Sequence, residues 1–461
     1  MAKIALIQPW NFHDEDRAYT AEQLSRIWRN APLGLCLLGA EAGKRGHEVE
    51  VMDLERELIR HQGNVDATLR AFRERLVRFE PEVVGVGIIS VRFQEALRVL
   101  EVCGEVRRAS GRRFTLVAGN IHVTSEPELT LRSFPELDAV FVGEADFGLS
   151  LLAEGTPLEK IPGVGFLRDG KFRRTPPPPD ARLDDLPYPD WRLIDAGFYS
   201  APNSAIHRAK RAYRSLDIVT CRSCVYECRY CVYNMGTPRW NSPAYVVDYL
   251  EWLVKEFGVD ATYFLDSSLG NNRPQLKGIC NLMIERGLHE KLAWSANMRA
   301  NQVNEDLLRL MWDAGCRMLL YGFESGSQRI LDAMKKGCSV EANEKAAKLH
   351  EKLNFPYQAS MIYGYPGETE EDVRLTIGML QRMQAPVVGI NVYVPLPGSQ
   401  DYVEMRAAGS LPRQDPRYWR MIGEVSESRD VPVYAAIPKE RFWDLYQEVV
   451  NWRRGIPVAV A

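Results

Sequence analysis

Short, almost wholly apolar runs alternate with longer stretches of helical periodicity over the first 150 or so residues, at 3–8, 48–54, 83–89, 115–120 and 139–144. Because these runs lack period-two alternation, each must be covered on both faces, which helices flanking a parallel sheet provide. The pattern predicts a doubly wound, Rossmann-like α/β domain over 1–155. Its ligands should lie beyond the carboxyl ends of the strands, in the loops 8–11, 90–93, 119–124 and 143–146. The pattern breaks over 156–212, where a hairpin at Asp169-Gly170 and prolines 176–179, 187 and 189 predict a linker. A second βα series fills 213–400, with strands at 216–220, 262–266, 292–297, 318–324, 357–363 and 389–394. Six strands fall short of the eight that close a full barrel, so an open, partial (β/α)6 barrel is expected, with its site at the strands' carboxyl ends. The small C-terminal region, 401–461, reads as mostly helical. Its clearest helix is 439–453, with Phe442, Leu445, Tyr446 and Val449 as the buried stripe. Tyr418, Trp419, Trp443 and Trp452 read as packing for this region or as walls of a substrate cavity.

Charge narrows the partners. The 58 Lys and Arg against 61 Asp and Glu give a formal charge of −3, with no long block of one sign. This disfavours a nucleic-acid partner and leaves a small-molecule substrate as the expectation. The amino terminus lacks the pattern of a secretory leader, and no run approaches the roughly 18 to 20 apolar residues that span a bilayer. A cytoplasmic protein without stable membrane insertion is therefore expected. Nine cysteines are present, and four of them, Cys221, Cys224, Cys228 and Cys231, crowd into one short stretch. In a cytosolic chain that density points to metal or cluster ligation rather than disulfides.

The crowded stretch follows the first barrel strand, at the predicted active end. Three thiolates spaced Cys224-x3-Cys228-x2-Cys231 can hold three irons of a cubane and leave the fourth without a protein ligand. A structural zinc site would need a fourth ligand, and no second Cys or His pair at short spacing supplies one. Cys221 keeps an alternative open, as the fourth ligand of a closed zinc site or a simple electron-transfer cluster.

This spacing after a strand resembles the radical S-adenosylmethionine (SAM) enzymes. Further stretches extend the resemblance to the family's cobalamin (B12)-dependent branch. Phe264-Leu-Asp-Ser-Ser-Leu-Gly-Asn271, Trp294 to Arg299, Gly322-Phe-Glu-Ser325, Gly364 to Thr369 and Pro395 to Gly398 follow in the family's order. In the amino-terminal half, Ala31 to Leu35, Arg45 to Val49, Val84 to Ser90, Ala118 to His122 and Val142 to Glu144 do the same. The resemblance implies a 4Fe-4S cluster on Cys224, Cys228 and Cys231, with SAM on the open iron, and cobalamin in the first domain. It places Asp266, Arg299, Glu324, Ser325 and Lys336 at SAM, and Ser90, Gly119, Asn120, Gly143 and Glu144 at cobalamin.

Residue chemistry fits those placements. Glu324 can accept from ribose hydroxyls and Lys336 can pair with a carboxylate, although a solvated helix-end lysine is the plain alternative for Lys336. Gly119 suits a close approach of the corrin edge. Asn120 stands where the family has a second glycine. No Asp-x-His-x-x-Gly occurs, so cobalt should lack the histidine that often lies beneath it. His13 and His122 lie nearby, as ligands or as structural residues.

The resemblance implies a methyltransferase that uses SAM and methylcobalamin to methylate an unactivated carbon of a small-molecule or natural-product intermediate. An electron donor of the flavodoxin or ferredoxin type goes with that activity. Two alternatives stay open: a B12-dependent radical SAM cyclase or oxidative rearrangement enzyme without methyl transfer, and a corrinoid-binding redox sensor with a structural cluster.

Overall fold

The computed structural model describes residues 1–10, 31–111, 114–201, 213–383, 388–412, 418 and 431–455. His13, Trp419 and the side chain of Trp452 lie outside this set.

Strands β1 (Lys3–Gln8), β2 (Glu48–Asp53), β3 (Val83–Gly87), β4 (Thr115–Gly119) and β5 (Ala139–Phe141) form a parallel sheet in the order β2-β1-β3-β4-β5. The predicted apolar runs are these strands, buried on both faces around Ile4, Leu6, Val51, Val83, Val117 and Phe141. Strand β2 stops one residue short of its predicted end because Asp53 caps the next helix, Leu54–Arg60, accepting from the Arg56 N–H at 3.2 Å. The sheet does not end at β5. Strands β6 (Val164–Arg168) and β7 (Lys171–Arg174) add to it antiparallel, joined through Asp169 and Gly170 with φ of 50° and 71°. Positive φ at both turn residues is the tight hairpin geometry that an Asp-Gly pair favours.

In the second unit, β10 (Ala261–Phe264), β11 (Ala293–Met298), β12 (Cys316–Glu324), β13 (Tyr357–Tyr363) and β14 (Val388–Val392) form a parallel sheet in sequence order. The sixth predicted strand, 216–220, joins β10 through two parallel bridges, Ser215 to Ala261 and Ile218 to Phe264. The result is the open half-barrel expected. Two short strands, β8 (Cys221–Arg222) and β9 (Arg239–Trp240), pair antiparallel beside it.

The chain divides into two compact units less simply than its pattern predicts. One comprises 1–181, 185–196 and 396–424, and the other 182–184, 197–395 and 425–461. Much of the expected linker therefore belongs to the first unit. Trp191 is fully buried, Asp190 donates its N–H to the Cys36 carbonyl at 3.1 Å, and Leu193 lies where a Cβ on Gly39 would stand. The expected C-terminal region is split between the units. Helix Gln400–Ala407 is tied to the first through Arg406 and Glu126. Helix Lys439–Gly455 packs in the second, where Phe442, Leu445 and Val449 are buried as the stripe predicts and the Tyr363 hydroxyl donates to the Phe442 carbonyl at 2.6 Å. Trp443 is also buried. Among the described residues no helix is long and apolar enough to cross a membrane.

His350 locks the outer face of β12. Its Nδ1–H donates to the Phe355 carbonyl at 2.8 Å, leaving Nε2 to accept from the Tyr321 hydroxyl at 2.8 Å. Burial lowers its pKa from 6.5 to about 4, and that of His122 to about 3. Unfolded, both rings take a proton near pH 6.5; folded, neither does until well below it. Their contribution to stability is therefore complete above pH 6.5 and is lost as pH falls from there toward 4 and 3. We expect the melting temperature to fall across pH 6.5 to 4. His350→Gln should flatten part of that fall while costing about 1–3 kcal/mol at neutral pH, measured by denaturant unfolding at both pH values.

Candidate active site

The cysteine loop is clipped at its base by β8 and β9, with Cys221 opposite Trp240. Asp266, at the end of β10, fixes its entry: Oδ1 accepts from the Thr220 N–H at 3.0 Å and from the Thr220 hydroxyl at 3.1 Å. The Cys221 thiol also bonds to Asp266, and burial, then that carboxylate, push the thiol's pKa far up. Cys221 is thus held as a thiol in the floor of the loop.

The other three sulfurs each receive one N–H. Asn271 donates to Cys224 Sγ at 3.5 Å, Arg299 to Cys228 Sγ at 3.5 Å and the Tyr233 backbone to Cys231 Sγ at 3.4 Å. Gln302 steadies Asn271, donating to its Oδ1 at 2.9 Å, and is itself held by the Ser268 hydroxyl at 2.6 Å. Burial foremost, with Cys228 and Cys224 adding, raises the Cys231 thiol against the pull of the Tyr233 N–H. Three thiolates so close need cations among them.

Beside the loop, Lys336 Nζ lies 2.7 Å from Glu324 Oε1, and both residues are buried. Tyr230 completes a triangle, its hydroxyl donating to Glu324 Oε1 at 3.0 Å and accepting from Lys336 at 3.1 Å. Burial first, then the Glu324 carboxylate, hold the Tyr230 phenol well above its ordinary range, so it keeps its proton. A Cβ on Gly322 would stand 2.2 Å from Glu324 Oε1, which is why a glycine precedes the pair. Lys336 is therefore not a solvated lysine. One N–H of its ammonium group and the Oε2 of Glu324 carry no protein hydrogen bond among the described residues, leaving one donor and one acceptor for a zwitterionic nucleoside.

Arg299 makes the strongest statement of fit. It stacks on Tyr226 at 3.6 Å from ring centre, donates one N–H to Cys228, and buries Nε and Nη2 with no acceptor among the described residues. Burying charged donors unpaired is costly, so the folded chain is shaped to receive an anion here. A cluster sulfide or a carboxylate meets that need.

Two expected SAM contacts stand apart. Asp266 directs its carboxylate to Thr220 and Cys221, and is 2 % exposed. Ser325 is fully buried, its hydroxyl held by Thr376 at 3.3 Å and by the Ser327 N–H at 3.1 Å. Their hydrogen bonds fix the cysteine loop and the turn after β12. Sequence reasoning gave no roles to Tyr230, Tyr226, Asn271 and Gln302. The first two lie inside the cysteine motif and Asn271 ends the stretch after β10, so position within those motifs was the available signal.

At the carboxyl ends of β3, β4 and β5 the first unit presents a different surface. The strand order places its topological switch between β1 and β3, where ligands of open α/β sheets bind. A Cβ on Gly119 would meet only Phe141 Cβ, at 3.7 Å, and one on Gly143 nothing within 4 Å. The chain thus leaves these positions open to a flat ligand edge. Asn120 is exposed and holds φ 89° and ψ −176°, a region nearly exclusive to glycine, while its Oδ1 caps the Ile121 N–H at 2.7 Å. Glu144 keeps partial exposure beside Gly143. Ser90 is buried, its hydroxyl 3.0 Å from His122 Nδ1. His122 itself is wholly covered by protein and meets Phe93 at a tilt of 54°, ring centres 4.7 Å apart, as a structural ring would. Below the rim, Arg92 bonds the Pro9 carbonyl at 3.1 Å and pairs with Glu55 at 3.0 Å, joining the ends of β1, β2 and β3.

Both surfaces match known families. Residues 218–380 fit the family model of the radical SAM superfamily, and residues 29–153 that of the B12 binding domain. The chain is a cobalamin-dependent radical SAM enzyme. Its cofactors are a 4Fe-4S cluster, SAM and cobalamin. It is 28% identical over 377 residues to an uncharacterized methyltransferase of Pyrococcus horikoshii, covering 80% of this chain and 77% of that one. It is 27% identical over 353 residues to the anaerobic magnesium-protoporphyrin IX monomethyl ester cyclase of Cereibacter sphaeroides, covering 72% of this chain and 54% of the cyclase. Among solved structures, the radical SAM methyltransferase TsrM from Kitasatospora setae, with cobalamin and a 4Fe-4S cluster bound, superposes with a TM-score of 0.69. The identity is 20%, and the match covers 90% of this chain and 76% of TsrM, which shows a shared fold.

Two outcomes check this geometry. Anaerobically reconstituted Cys221→Ala should retain about four irons per chain and an unaltered reduced-cluster EPR signal, whereas Cys224→Ala, Cys228→Ala or Cys231→Ala should lose the cluster. Asn120→Gly should relieve the backbone and raise stability by about 1 kcal/mol in denaturant unfolding, with cobalamin still bound.

Proposed function

We propose that this enzyme methylates an unactivated carbon of a small-molecule intermediate. Two features on one chain support the reading: a cysteine trio beside the unpaired buried guanidinium donors of Arg299, and an open rim at the B12-binding strand ends. Relatives named as methyltransferases support it too. When bound, the cluster supplies one electron to SAM to generate a carbon radical, and the corrinoid supplies the methyl group.

The chain's own residues hold and exclude. Cys224, Cys228 and Cys231 hold the cluster, with their N–H donors favouring the more electron-rich state. Arg299 and Lys336 bind the SAM carboxylate, and Glu324 accepts from its ribose. Lys336 also holds Glu324 in place as an acceptor, and Tyr230, with its proton retained, closes the space between them. Asp266 and Ser325 act as positioning residues for the loop and the turn. Gly119, Asn120, Gly143, Glu144 and Ser90 line the corrinoid rim. A ferredoxin- or flavodoxin-type electron donor and a reducing cytoplasm belong to this reading, in keeping with nine cysteines that form no disulfide.

A cyclase or oxidative rearrangement remains the second reading, favoured by the cyclase relatives. Anaerobic enzyme loaded with iron, sulfide and cobalamin, given reductant and SAM labelled on its methyl group, separates the two. Methyl transfer should yield S-adenosylhomocysteine together with 5′-deoxyadenosine, and label in a product recovered from a metabolite extract. 5′-Deoxyadenosine alone, with the label retained on SAM or methionine, would favour the cyclase reading. Lys336→Met, which leaves Glu324 buried without its partner, should abolish both products and cost about 3–5 kcal/mol of stability.

A further inference from the structure

Alternation along the barrel strands separates an outer from an inner face. Phe264, Trp294, Tyr321 and Phe323 are buried on the outer side, where Tyr321 meets His350 of the helix Val340–Leu353. Positions between them face inward, as do Gly322 and Glu324. The two bridges of the first barrel strand put Asp217 level with Tyr263, and β10 in turn is in register with β11. Tyr263 confirms the shared face, since its hydroxyl donates to Asn297 Oδ1 at 2.6 Å.

Asp217 is the anomaly on this face. It retains partial access, yet burial alone lifts its carboxyl to about 7, and no cation or hydrogen-bond donor among the described residues attends it. Its neighbour Tyr263 gives its proton to Asn297, and Asn297 gives its N–H to the Asp266 carbonyl at 3.0 Å. The described residues therefore supply Asp217 with no partner, and a carboxyl in such surroundings ionises fully only where a cationic ligand completes it. Two residues further along the same face, Val219 and Leu265 are 38% and 39% exposed, apolar side chains left uncovered. Four residues separate Asp217 from Cys221, about 13 Å of strand.

We propose that Asp217 recognises a protonated nitrogen on the substrate, which makes the substrate a small amine with an apolar body reaching from Asp217 past Val219 and Leu265 toward the cysteine loop. The assignment deepens the methyltransferase reading, and rests on it only in taking the barrel interior as the substrate site. Asp217 is a specificity residue and takes no part in generating the radical.

Phenethylamine and phenethyl alcohol differ in the charged group alone and serve as probes. Their dissociation constants for anaerobic holoenzyme, measured by calorimetry or saturation-transfer NMR, should favour the amine by about tenfold or more. Asp217→Asn should bring the two within about twofold, and Asp217→Glu should keep a preference for the amine. Asp217→Ser replaces the Asn variant, with the same expectation, if circular dichroism shows that the latter is unfolded. Equal affinity for both probes in the unmodified enzyme, no binding of either, or a preference that survives loss of the carboxylate would overturn the assignment. Failure of methyl transfer is read separately, from absent S-adenosylhomocysteine, and leaves the probe preference intact.

Discussion

Crowded anionic sulfur is the constraint around which the barrel's active end is built. Burial, with Cys228 and Cys224 close by, holds the Cys231 thiol up, and the surroundings answer with one N–H for each of the three sulfurs and a buried guanidinium beside Cys228. Each neighbour then needs its own support: Tyr226 under Arg299, Gln302 under Asn271, Asp266 at the loop's entry. These supports come from the ends of three successive strands. A half-barrel suits them because its strand ends converge on one point while its interior stays open.

The same economy of position runs through the first unit by opposite means. There the strand ends carry glycines and an asparagine held in a glycine-like conformation, and the functional property is open space rather than charge. Arg92 and Glu55 keep the strand ends together from beneath, so that the rim is rigid without intruding on the ligand's side.

Much of this was legible in the chain. Apolar runs marked the central strands of the first sheet, since burial on both faces leaves that imprint directly, the repeating βα pattern marked the barrel strands, and the cysteine spacing marked the metal loop. Less legible was anything decided by which way a side chain turns. Asp266 and Ser325 sit in the right motifs yet bond to Thr220, Cys221, Thr376 and the Ser327 N–H, because their partners lie far away in sequence. Lys336 had a bland reading as a surface lysine beside Lys335, and only the fold shows it buried against Glu324. Asp217 gave no signal at all, as one acidic residue in a short apolar run. The fate of 156–212 and 401–461 was hidden for a similar reason: proline-rich or irregular composition says that a segment is not a regular strand or helix, but not which core its aromatic residues fill.

That last point bears on how the molecule is made. The first unit includes residues 396–424, so its final piece leaves the ribosome only after the whole barrel sheet has been translated, a delay of tens of seconds at about 5–20 residues per second. During that interval Glu126 waits for Arg406, and the surface later covered by helix Gln400–Ala407 stays bare. Biosynthesis of this enzyme therefore cannot proceed as two beads finished one after the other. Excising either half by cutting near residue 200 would yield a fragment missing part of itself, and chaperone protection of the nascent first half becomes part of the cost of this chain's threading.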